Sequence, residues 1–322
     1  MAATLQQVRA HPIFKTLYPG DKEFMQKRAL SGRLNEFASD EIEMTALIPF
    51  GIFPHIKTIA VVEMMLEDLK NGLYEGKHTI VVDSSGNTAD GVARLAPAFG
   101  FTNVKIVLST DVPESKKGIL SALSTVELIE VPGGVAKRAR EEGAREGHYH
   151  LNQYGHMGNM RAHKKFTGPA VLNALGHGET AVVAMAMGSG GTAGGVGWYL
   201  KELFPNIQVI GVRPKLGEQV PGARDENRMR EVVTLPWQQY VDEVVDVSRK
   251  DAFIAMRRLW REVEPRPGPT SGLAYAGLTK YLRQKSVLER RLIGYKAGFV
   301  CPDDGRFYTE RTGGELDPDQ GV

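Results

Sequence analysis

A glycine-rich stretch in the second half of the chain has the composition of a phosphate-binding turn. Gly188-Ser-Gly-Gly-Thr-Ala-Gly-Gly195 holds five glycines in eight positions, after an apolar run that predicts a strand and at the start of a predicted helix. Glycines let the backbone approach a ligand closely, and the N–H groups at a helix start attract anions. Ser189 and Thr192 would add hydroxyl donors. We therefore predict a phosphate site here, in preference to a turn that only packs tightly.

A second polar turn, Asp83-Ser-Ser-Gly-Asn-Thr88, also stands between a predicted strand and a predicted helix. Its N–H and hydroxyl groups suit an anion such as a carboxylate. Taken alone, a turn of this kind is more often a plain loop with a helix cap. It gains functional meaning only together with other motifs.

The glycines also allow a nucleotide-binding interpretation. Gly188-x-Gly190-x-x-Ala193 fits the dinucleotide fingerprint, but the next predicted strand ends in Val212-Arg213, without the acidic residue that holds the ribose of NAD. Arg213 would instead suit the extra phosphate of NADP. An NADP-dependent oxidoreductase therefore stays open as an alternative.

The elements that must position these turns alternate along the chain. Strands are predicted at 79–83, 104–108, 126–131, 180–187, 208–212 and 298–301, and helices at 89–99, 115–123, 135–145, 198–204, 251–263 and 271–282. Strands that alternate with helices require crossover connections, so they pair in parallel and are covered on both faces. The predicted fold class is α/β, with mostly parallel sheets flanked by helices.

The composition excludes several classes of protein. The 322 residues include 40 Lys and Arg and 38 Asp and Glu, a formal net charge of +2, which gives no electrostatic reason to expect nucleic acid or an acidic membrane as a partner. No apolar run is long enough to span a bilayer, and residues 1–17 lack the pattern of a signal peptide. We expect a cytoplasmic protein that acts on a small molecule.

Residue types that bind metals or act as nucleophiles give little signal. His148, His150, His156 and His163 lie close in sequence, but without a His-Glu-x-x-His motif. We interpret them as solvated or capping residues and expect no metal. The single cysteine, Cys301, leaves no intrachain disulfide, and its apolar surroundings predict a buried rather than a reactive thiol.

Several further motifs occur in an order that is typical of one enzyme family. They are Pro49-Phe-Gly51, Ile56-Lys57, Ser84 to Thr88, Leu151-Asn-Gln-Tyr154, Thr167-Gly-Pro169, Gly188 to Thr192, Val241 to Ser248, Gly268-Pro-Thr-Ser-Gly272 and Cys301 to Arg306. With these motifs, over residues 42–309, the sequence resembles the cysteine synthase-like enzymes, which are fold-type II pyridoxal-phosphate enzymes of the tryptophan synthase β superfamily. The resemblance rests on the shared order of the motifs rather than on any one of them.

The resemblance implies a cofactor, pyridoxal 5'-phosphate, and a role for each motif. Lys57 would form the Schiff base with the cofactor and, once freed by the amino acid, act as base on its Cα proton. Asn87 would hydrogen-bond the cofactor's ring oxygen, and Thr270 would face its pyridine nitrogen. The phosphate would be held by Gly188, Ser189, Gly190, Gly191 and Thr192, and the substrate carboxylate by Ser84, Ser85, Gly86, Thr88 and Gln153.

The resemblance also implies the type of reaction. We expect β-replacement or β-elimination on a serine- or cysteine-derived amino acid through an aminoacrylate intermediate. A neutral hydroxyl at Thr270 stabilises a protonated ring less than a carboxylate would, which favours this chemistry over reactions that need a full quinonoid. A pyridoxal-phosphate ammonia-lyase or dehydratase would use the same residues, so it stays open.

The sequence departs from the family at two places near the expected substrate. The loop from Ile52 to Ile56 has lost the family's serine and carries His55, which is either a polar group near the cofactor or a simple loop histidine. The segment from Arg213 to Trp237 is charged where relatives have a glycine-rich stretch. The altered lysine loop leaves a non-catalytic partner protein on the same fold as a further alternative.

By the same resemblance, the chain divides into two domains. Residues 46–155 would form a smaller α/β domain, and residues 1–45 and 156–322 a larger α/β domain that binds the cofactor's phosphate. The cofactor would lie in the cleft between them. The resemblance further implies a homodimer that acts on a small-molecule amino acid.

Overall fold

The strands of the chain form two sheets. The computed structural model describes residues 3–20, 23–49, 55–84, 86–112, 114–123, 125–176 and 182–305. Its strands are β1 (Gln26–Ala29), β2 (Glu43–Ile48), β3 (Thr79–Asp83), β4 (Asn103–Ser109), β5 (Val126–Val131), β6 (His148–His150), β7 (Val182–Ala186), β8 (Gln208–Pro214), β9 (Glu243–Val247) and β10 (Lys296–Val300). One sheet has six strands in the order β1-β2-β10-β7-β8-β9, and the other has four in the order β5-β4-β3-β6.

Helices connect the strands and cover both sheets. They are α1 (Leu5–Ala10), α2 (Pro12–Leu17), α3 (Lys57–Lys70), α4 (Asn87–Leu95), α5 (Glu114–Ser121), α6 (Val135–Gly143), α7 (Met157–Ala162), α8 (Gly168–Leu175), α9 (Gly191–Leu203), α10 (Glu226–Val232), α11 (Arg249–Leu259), α12 (Pro269–Arg283) and α13 (Val287–Ile293). A π-helical turn, His163–Thr167, joins α7 to α8. In the described part of the chain, no helix is both long and apolar enough to cross a bilayer.

The strand pairing confirms the predicted α/β class. All pairs in the four-stranded sheet are parallel, and in the six-stranded sheet only β1 and β2 pair antiparallel. Every residue of β3 is buried, as expected for a parallel strand with helices on both faces. In β7 the alternating residues enter two different cores: Val182 and Ala184 pack on one face, and Val183 and Met185 on the other.

The predicted helices differ from the observed ones mainly at their ends. The helix predicted at 89–99 starts at Asn87 and stops at Leu95, because Pro97 favours a tighter 3₁₀ turn that ends at Gly100 in the left-handed region. The glycine-rich stretch opens a helix, as predicted: α9 starts at Gly191 and continues through the predicted segment 198–204 to Leu203.

The division into two domains remains a prediction. The four-stranded sheet lies within the range 46–155, whereas β2 belongs to the six-stranded sheet. The N-terminal segment contacts the smaller sheet's layer, since the Ala3 amide donates to the Phe99 carbonyl and Phe14 packs edge-on against Phe99 at 6.1 Å.

The N-terminal ends of four helices meet at one place in the fold. Lys57 is the first residue of α3, Asn87 the first of α4, Gly191 the first of α9 and Thr270 the second of α12. The turns before α4 and α9 follow the carboxyl ends of β3 and β7, where parallel sheets usually bind their ligands. Because each helix N-terminus carries partial positive charge, this region favours anionic ligands.

Candidate active site

A cleft of about 620 Å³ lies where these helices begin. It brings together every described residue that the sequence analysis assigned to a site: Lys57, Ser84, Gly86, Asn87, Thr88, Gln153, Gly188, Ser189, Gly190, Gly191, Thr192 and Thr270. Ser85 lies outside the described residues. The two polar turns and the lysine thus face the same volume, although they are far apart in sequence.

Lys57 extends from the start of α3 toward the glycine-rich turn. Its Nζ donates a hydrogen bond to Ser189 Oγ at 3.1 Å. Burial and the positive charge of Arg224 lower the pKa of Lys57 to about 8, and the positive end of α3 acts in the same direction. A substantial fraction of this amine is therefore neutral near physiological pH, as a nucleophile or base requires.

The lowered pKa of Lys57 predicts a pH-dependent cost in stability. In the unfolded chain this lysine has its ordinary pKa of 10.5. The buried charge therefore lowers the free energy of unfolding by its full amount below pH 8, and this loss of stability disappears as the pH rises to about 10.5. We expect Lys57→Met to stabilise the cofactor-free protein by about 2 kcal/mol at pH 7. Urea unfolding at pH 7 and pH 10 measures the gain, which should shrink at the higher pH; a gain that does not change with pH would contradict the shifted pKa.

The turn before α9 is a backbone cradle that tolerates little besides glycine. Gly190 has φ +77°, in the left-handed region, and a Cβ on Gly188 would lie 2.5 Å from the Gly222 carbonyl oxygen. Ser189 Oγ accepts hydrogen bonds from the Gly191 amide at 3.3 Å and from Asn159 Nδ2 at 3.0 Å. The turn and the N–H groups at the start of α9 form a site suited to a phosphate.

The opposite wall is a chain of polar side chains. Thr88 Oγ1 donates to Gln153 Oε1 at 2.7 Å, and Gln153 Nε2 donates to the Tyr154 hydroxyl at 3.2 Å. Asn159 Nδ2 donates to the Gln153 carbonyl as well as to Ser189. Asn159 is fully buried and ties this wall to the glycine-rich turn, a role that sequence reasoning missed.

A buried carboxylate joins the two residues predicted to hold the cofactor ring. Asn87 Nδ2 donates to Asp303 Oδ2 at 2.8 Å, and Thr270 Oγ1 donates to Asp303 Oδ1 at 3.5 Å. Asp303 is 2% exposed and lines the cleft. Sequence reasoning noted its motif, Cys301 to Arg306, without assigning it to the site. The Thr270 hydroxyl is itself neutral, as expected from the sequence, but it contacts the carboxylate of Asp303.

Comparison with known proteins decides the family. A sequence profile described as "Pyridoxal-phosphate dependent enzyme" matches residues 56–293, which is well over half of the chain. This chain belongs to the pyridoxal-phosphate dependent enzymes. The "Probable cysteine synthase" of Bacillus subtilis is 32% identical over 235 residues (68% of this chain, 74% of the relative), and "Cysteine synthase B" of Pseudomonas aeruginosa is 30% identical over 245 residues (74% and 78%).

Solved structures share the fold of this pyridoxal-phosphate enzyme. The crystal structure of O-ureido-L-serine synthase gives a TM-score of 0.78 at 19% identity and covers 96% of both chains. O-Acetyl Serine Sulfhydrylase isoform 3 from Entamoeba histolytica gives 0.76 at 21% identity, covering 97% of this chain and 93% of its own. The expected fold-type II, cysteine synthase-like architecture, the cofactor pyridoxal phosphate and the enzymatic nature of the protein are thereby confirmed.

The residues of the cleft suit pyridoxal phosphate. The cofactor needs an amine for its aldehyde, anion-binding N–H groups for its phosphate and polar contacts for its ring. The cleft offers the Lys57 amine, the glycine cradle before α9, and the Asn87 and Thr270 side chains on Asp303. In addition, Asn159 Oδ1 is buried beside this cradle without a hydrogen-bond partner among the described atoms.

His55 is neither a simple loop histidine nor part of the cleft lining that the structure describes. It is 1% exposed, and its Nε2 lies 3.1 Å from Asp90 Oδ2, which also accepts a hydrogen bond from Arg94 Nε at 2.8 Å. His55 Nδ1 lies 3.3 Å from Thr58 Oγ1. The contact between His55 and Asp90 connects the start of α3 to α4. It therefore helps to fix Lys57 relative to Asn87 from outside the cleft.

Two of the four clustered histidines contradict the solvated or capping interpretation. His163 is fully buried, contacts Thr192 Oγ1 through Nε2 at 3.2 Å and has its pKa lowered to about 3 by burial and by the charge of Lys57. His148 is also buried, and its Nδ1 lies 2.8 Å from the Glu142 carbonyl. His156 does cap α7, since its Nδ1 accepts from the Gly158 amide, and His150 lies 3.3 Å from Asp83. Within the described ranges no group of three or more potential ligands could hold a metal ion.

The remaining residues singled out in the sequence have structural roles. Cys301 is buried, as predicted, and burial raises the pKa of its thiol to about 12. Arg213, on which the NADP alternative rested, donates to Asp246 at 2.6 Å and to Glu226 at 2.9 Å. Its side chain therefore binds two carboxylates of the protein itself, which leaves it no evident role in binding NADP.

Proposed function

We propose that this enzyme catalyses β-replacement on a serine-derived amino acid, with Lys57 as the residue that carries the cofactor. The observation that carries the proposal is the Lys57 amine, whose pKa is lowered to about 8 and which lies 3.1 Å from Ser189 in the glycine cradle. The names of the relatives, cysteine synthases, support the same type of reaction.

Each group of the cleft has one task in this proposal. When bound, pyridoxal phosphate supplies an electron sink for the bond that is broken at Cα. Gly188, Ser189, Gly190, Gly191 and Thr192 hold its phosphate, while Asn87 and Thr270 hold its ring. Lys57, once free, takes the Cα proton and returns it after the new bond at Cβ has formed.

The substrate carboxylate is held at the start of α4. We assign this task to Ser84, Gly86 and Thr88, together with Ser85, which lies outside the described residues. Gln153 lies beside them and accepts a hydrogen bond from the Thr88 hydroxyl. A carboxylate at this position gains from the positive end of α4. The α-carbon is thus placed between this turn and Lys57, which orients the proton to be removed.

The replacement at Cβ conserves electrons, so it needs neither an oxidant nor a reductant. The leaving group departs with the electron pair of its bond to Cβ, and the nucleophile supplies the pair for the new bond. If no nucleophile adds at Cβ, the enamine is released and water hydrolyses its imine tautomer at Cα, which gives a keto acid and ammonia; this is β-elimination. Whether a new bond forms at Cβ therefore distinguishes the proposed β-replacement from the lyase alternative.

An assay of donors and acceptors tests this proposal. Purified protein with bound cofactor is incubated with O-acetyl-L-serine, with and without sulfide. The expected result is cysteine in the presence of sulfide, at a rate well above the release of keto acid, and borohydride should fix the cofactor to Lys57 in a peptide map. Keto acid as the main product with sulfide present, or modification of another lysine, would contradict the proposal.

We further propose that the enzyme works as a homodimer in the cytoplasm. The single cysteine is a buried thiol, which suits a reducing compartment. Helix α13 exposes Leu288 and Leu292 at 68% and 78%, one turn apart on the same face. Exposed apolar side chains in this arrangement favour a contact with a second copy.

The proposed dimer predicts that charged residues at positions 288 and 292 of α13 prevent dimerisation. Leu288→Glu combined with Leu292→Glu should convert the dimer into a monomer in sedimentation velocity, because two carboxylates would be buried without partners. Leu203→Glu, at a side chain that is 50% exposed on α9, is the matched control and should leave the dimer intact. Wild-type protein that sediments as a monomer would refute the proposal.

A further inference from the structure

A buried carboxylate lies behind the two side chains that we propose hold the cofactor ring. Asp303 is 2% exposed and lines the cleft. Asn87 Nδ2 donates to its Oδ2 atom at 2.8 Å, and Thr270 Oγ1 donates to its Oδ1 atom at 3.5 Å. A single carboxylate therefore accepts a hydrogen bond from each of these two residues.

The backbone around Asp303 is fixed on two sides. The Ile56 amide, at the N-cap of α3, donates to the Pro302 carbonyl at 2.8 Å. The Gly268 amide, at the N-cap of α12, donates to the Asp303 carbonyl at 3.0 Å. The carboxylate is thus held between the start of α3 and the start of α12, and its position is set by main-chain contacts.

The hydroxyl of Thr270 has one proton, and Asp303 determines where this proton points. A carboxylate is a stronger acceptor than an unprotonated ring nitrogen, because hydrogen bonds to an ionised acceptor are the stronger ones. With its proton on the Asp303 side, the Thr270 oxygen offers only lone pairs to the cleft. It can then accept a hydrogen bond from a protonated ring nitrogen, but it cannot donate one to an unprotonated nitrogen.

The same carboxylate orients the Asn87 amide. Its Nδ2 carries two protons, and the bond to Asp303 uses one of them. The amide cannot turn over without cost, because its Oδ1 atom would then face a negatively charged oxygen. The second Nδ2 proton is therefore left as a donor for the ring oxygen, and a donor at this position favours the ionised form of that oxygen.

The charges near Thr270 also favour a proton on the ring nitrogen. The positive end of α12 opposes this proton with about half a unit charge, whereas the Asp303 carboxylate, which contacts the first turn of that helix, carries a full negative charge. The effect of this charge is visible at a neighbouring buried group. Burial is the main reason why the pKa of the Cys301 thiol is raised to about 12, and the charge of Asp303 adds to it.

We infer that Asp303 is a positioning residue that keeps the ring nitrogen of the cofactor protonated, acting through Thr270, and its ring oxygen ionised, acting through Asn87. The inference rests on the proposed function, in which these two residues hold the ring. It replaces the sequence-based expectation, in which only a neutral hydroxyl faced the ring nitrogen. A protonated ring is the stronger electron sink, so Asp303 supports the step in which Lys57 removes the Cα proton.

The test observes the ring nitrogen directly. The protein is loaded with pyridoxal phosphate that carries nitrogen-15 in its ring, and the chemical shift is followed from pH 5 to pH 10 against reference compounds of known protonation. Wild type should show a protonated nitrogen at pH 7. Asp303→Asn should lower the midpoint of this titration by at least about one pH unit, which is the tenfold change expected when a charge-assisted hydrogen bond is lost.

Two further variants separate positioning from packing. Thr270→Val keeps the shape of the side chain but removes the hydroxyl, so it should lower the same midpoint even if Asp303→Asn does not fold. Asp111→Asn is the matched control, because Asp111 is an exposed carboxylate of the cleft lining that accepts a hydrogen bond from the Ser109 hydroxyl at 3.3 Å. This control should leave the midpoint unchanged.

Several results would overturn the inference. An unprotonated ring nitrogen in wild type at pH 7 is one, and a midpoint that does not move in Asp303→Asn or in Thr270→Val is another. A decrease of equal size in Asp111→Asn would show a general effect of charge and would also overturn it. The spectrum requires bound cofactor but no reaction. Loaded wild type with a protonated nitrogen that makes no cysteine from O-acetyl-L-serine and sulfide would therefore refute the proposed β-replacement instead.

Discussion

Lys57→Ala is expected to lower turnover by at least about a thousandfold, because in the proposed function the residue carries the cofactor and moves the Cα proton, and a positioned base alone contributes about 10² to 10⁴. The measurement is kcat with O-acetyl-L-serine and sulfide. Covalent attachment of the cofactor after borohydride should be lost at the same time. Removal of a side chain that points into a cleft creates no cavity in the core, so the fold should persist.

Lys70→Ala is the matched control for this substitution. Lys70 is the last residue of the same helix, α3, and is exposed. It should retain full activity and cofactor content, which separates the loss of an amine in the cleft from the loss of a lysine in the helix. Lys57→Ala with more than a tenth of wild-type activity would show that another group is the base.

The parts of the site that the sequence predicted are the ones with strong local signals. The turn at 188–192 combines three glycines and two hydroxyls between a buried strand and a helix, which favours a phosphate site. The turn at 84–88 is a weaker signal, and the order of the other motifs gave it its assignment. Parallel strands bring their carboxyl ends to one edge. Because β3 and β7 belong to different sheets, this rule places each turn at the edge of its own sheet, and the meeting of both turns with Lys57 was predicted from motif order.

The parts that the sequence missed depend on long-range packing. Asn159 and His163 lie on a short helix and a π-helical turn, and nothing in their neighbours distinguishes them from surface residues. They become buried because α7 packs between α3 and α9. Asp303 meets Asn87 across 216 positions of the chain, a contact that no local pattern encodes.

The fold shows the same contrast. Of the predicted strands in the four-stranded sheet, β3 is buried along its whole length and rich in β-branched residues. In contrast, β1 is fully exposed and polar, with the sequence Gln-Lys-Arg-Ala, and it is a strand only because it pairs with β2 at the edge of the six-stranded sheet. Pairing of this kind leaves no hydrophobic period in the sequence.

The charges of the cleft explain how one lysine can be both a cofactor anchor and a base. Four helix N-termini and Arg224 create a positive environment that favours anions, and the proposed function places two there, the cofactor phosphate and the substrate carboxylate. Burial is the main reason why the Lys57 amine loses its proton more easily than in water, and the positive charge of Arg224 adds to this effect. Ligand attraction and lysine activation therefore share this charge, although burial contributes more to the activation of the lysine.

The buried pair of His55 and Asp90 supports this arrangement from outside the cleft. Asp90 is enclosed, and although burial alone would raise the pKa of its carboxyl, hydrogen bonds from His55 and Arg94 outweigh that effect and lower the pKa to about 2. The ionised carboxylate links α3, which begins with Lys57, to α4, which begins with Asn87. The buried charge of Asp90 is therefore one of the contacts that hold these two residues in position relative to each other.

Asp90→Ala is expected to destabilise the cofactor-free protein by about 3 kcal/mol at pH 7, because it leaves the polar groups of His55 and Arg94 without their carboxylate. In the folded protein the pKa of Asp90 is about 2, against an ordinary value of 3.8, so the stabilisation is complete above about pH 4 and is lost as the pH falls toward 2. Urea unfolding at pH 7 and pH 3 should therefore show a wide gap between wild type and variant that narrows in acid. Glu141→Ala, at an exposed carboxylate on α6, should cost less than about 0.5 kcal/mol at either pH; an equally small effect of Asp90→Ala would mean that the pair does not hold the two helices together.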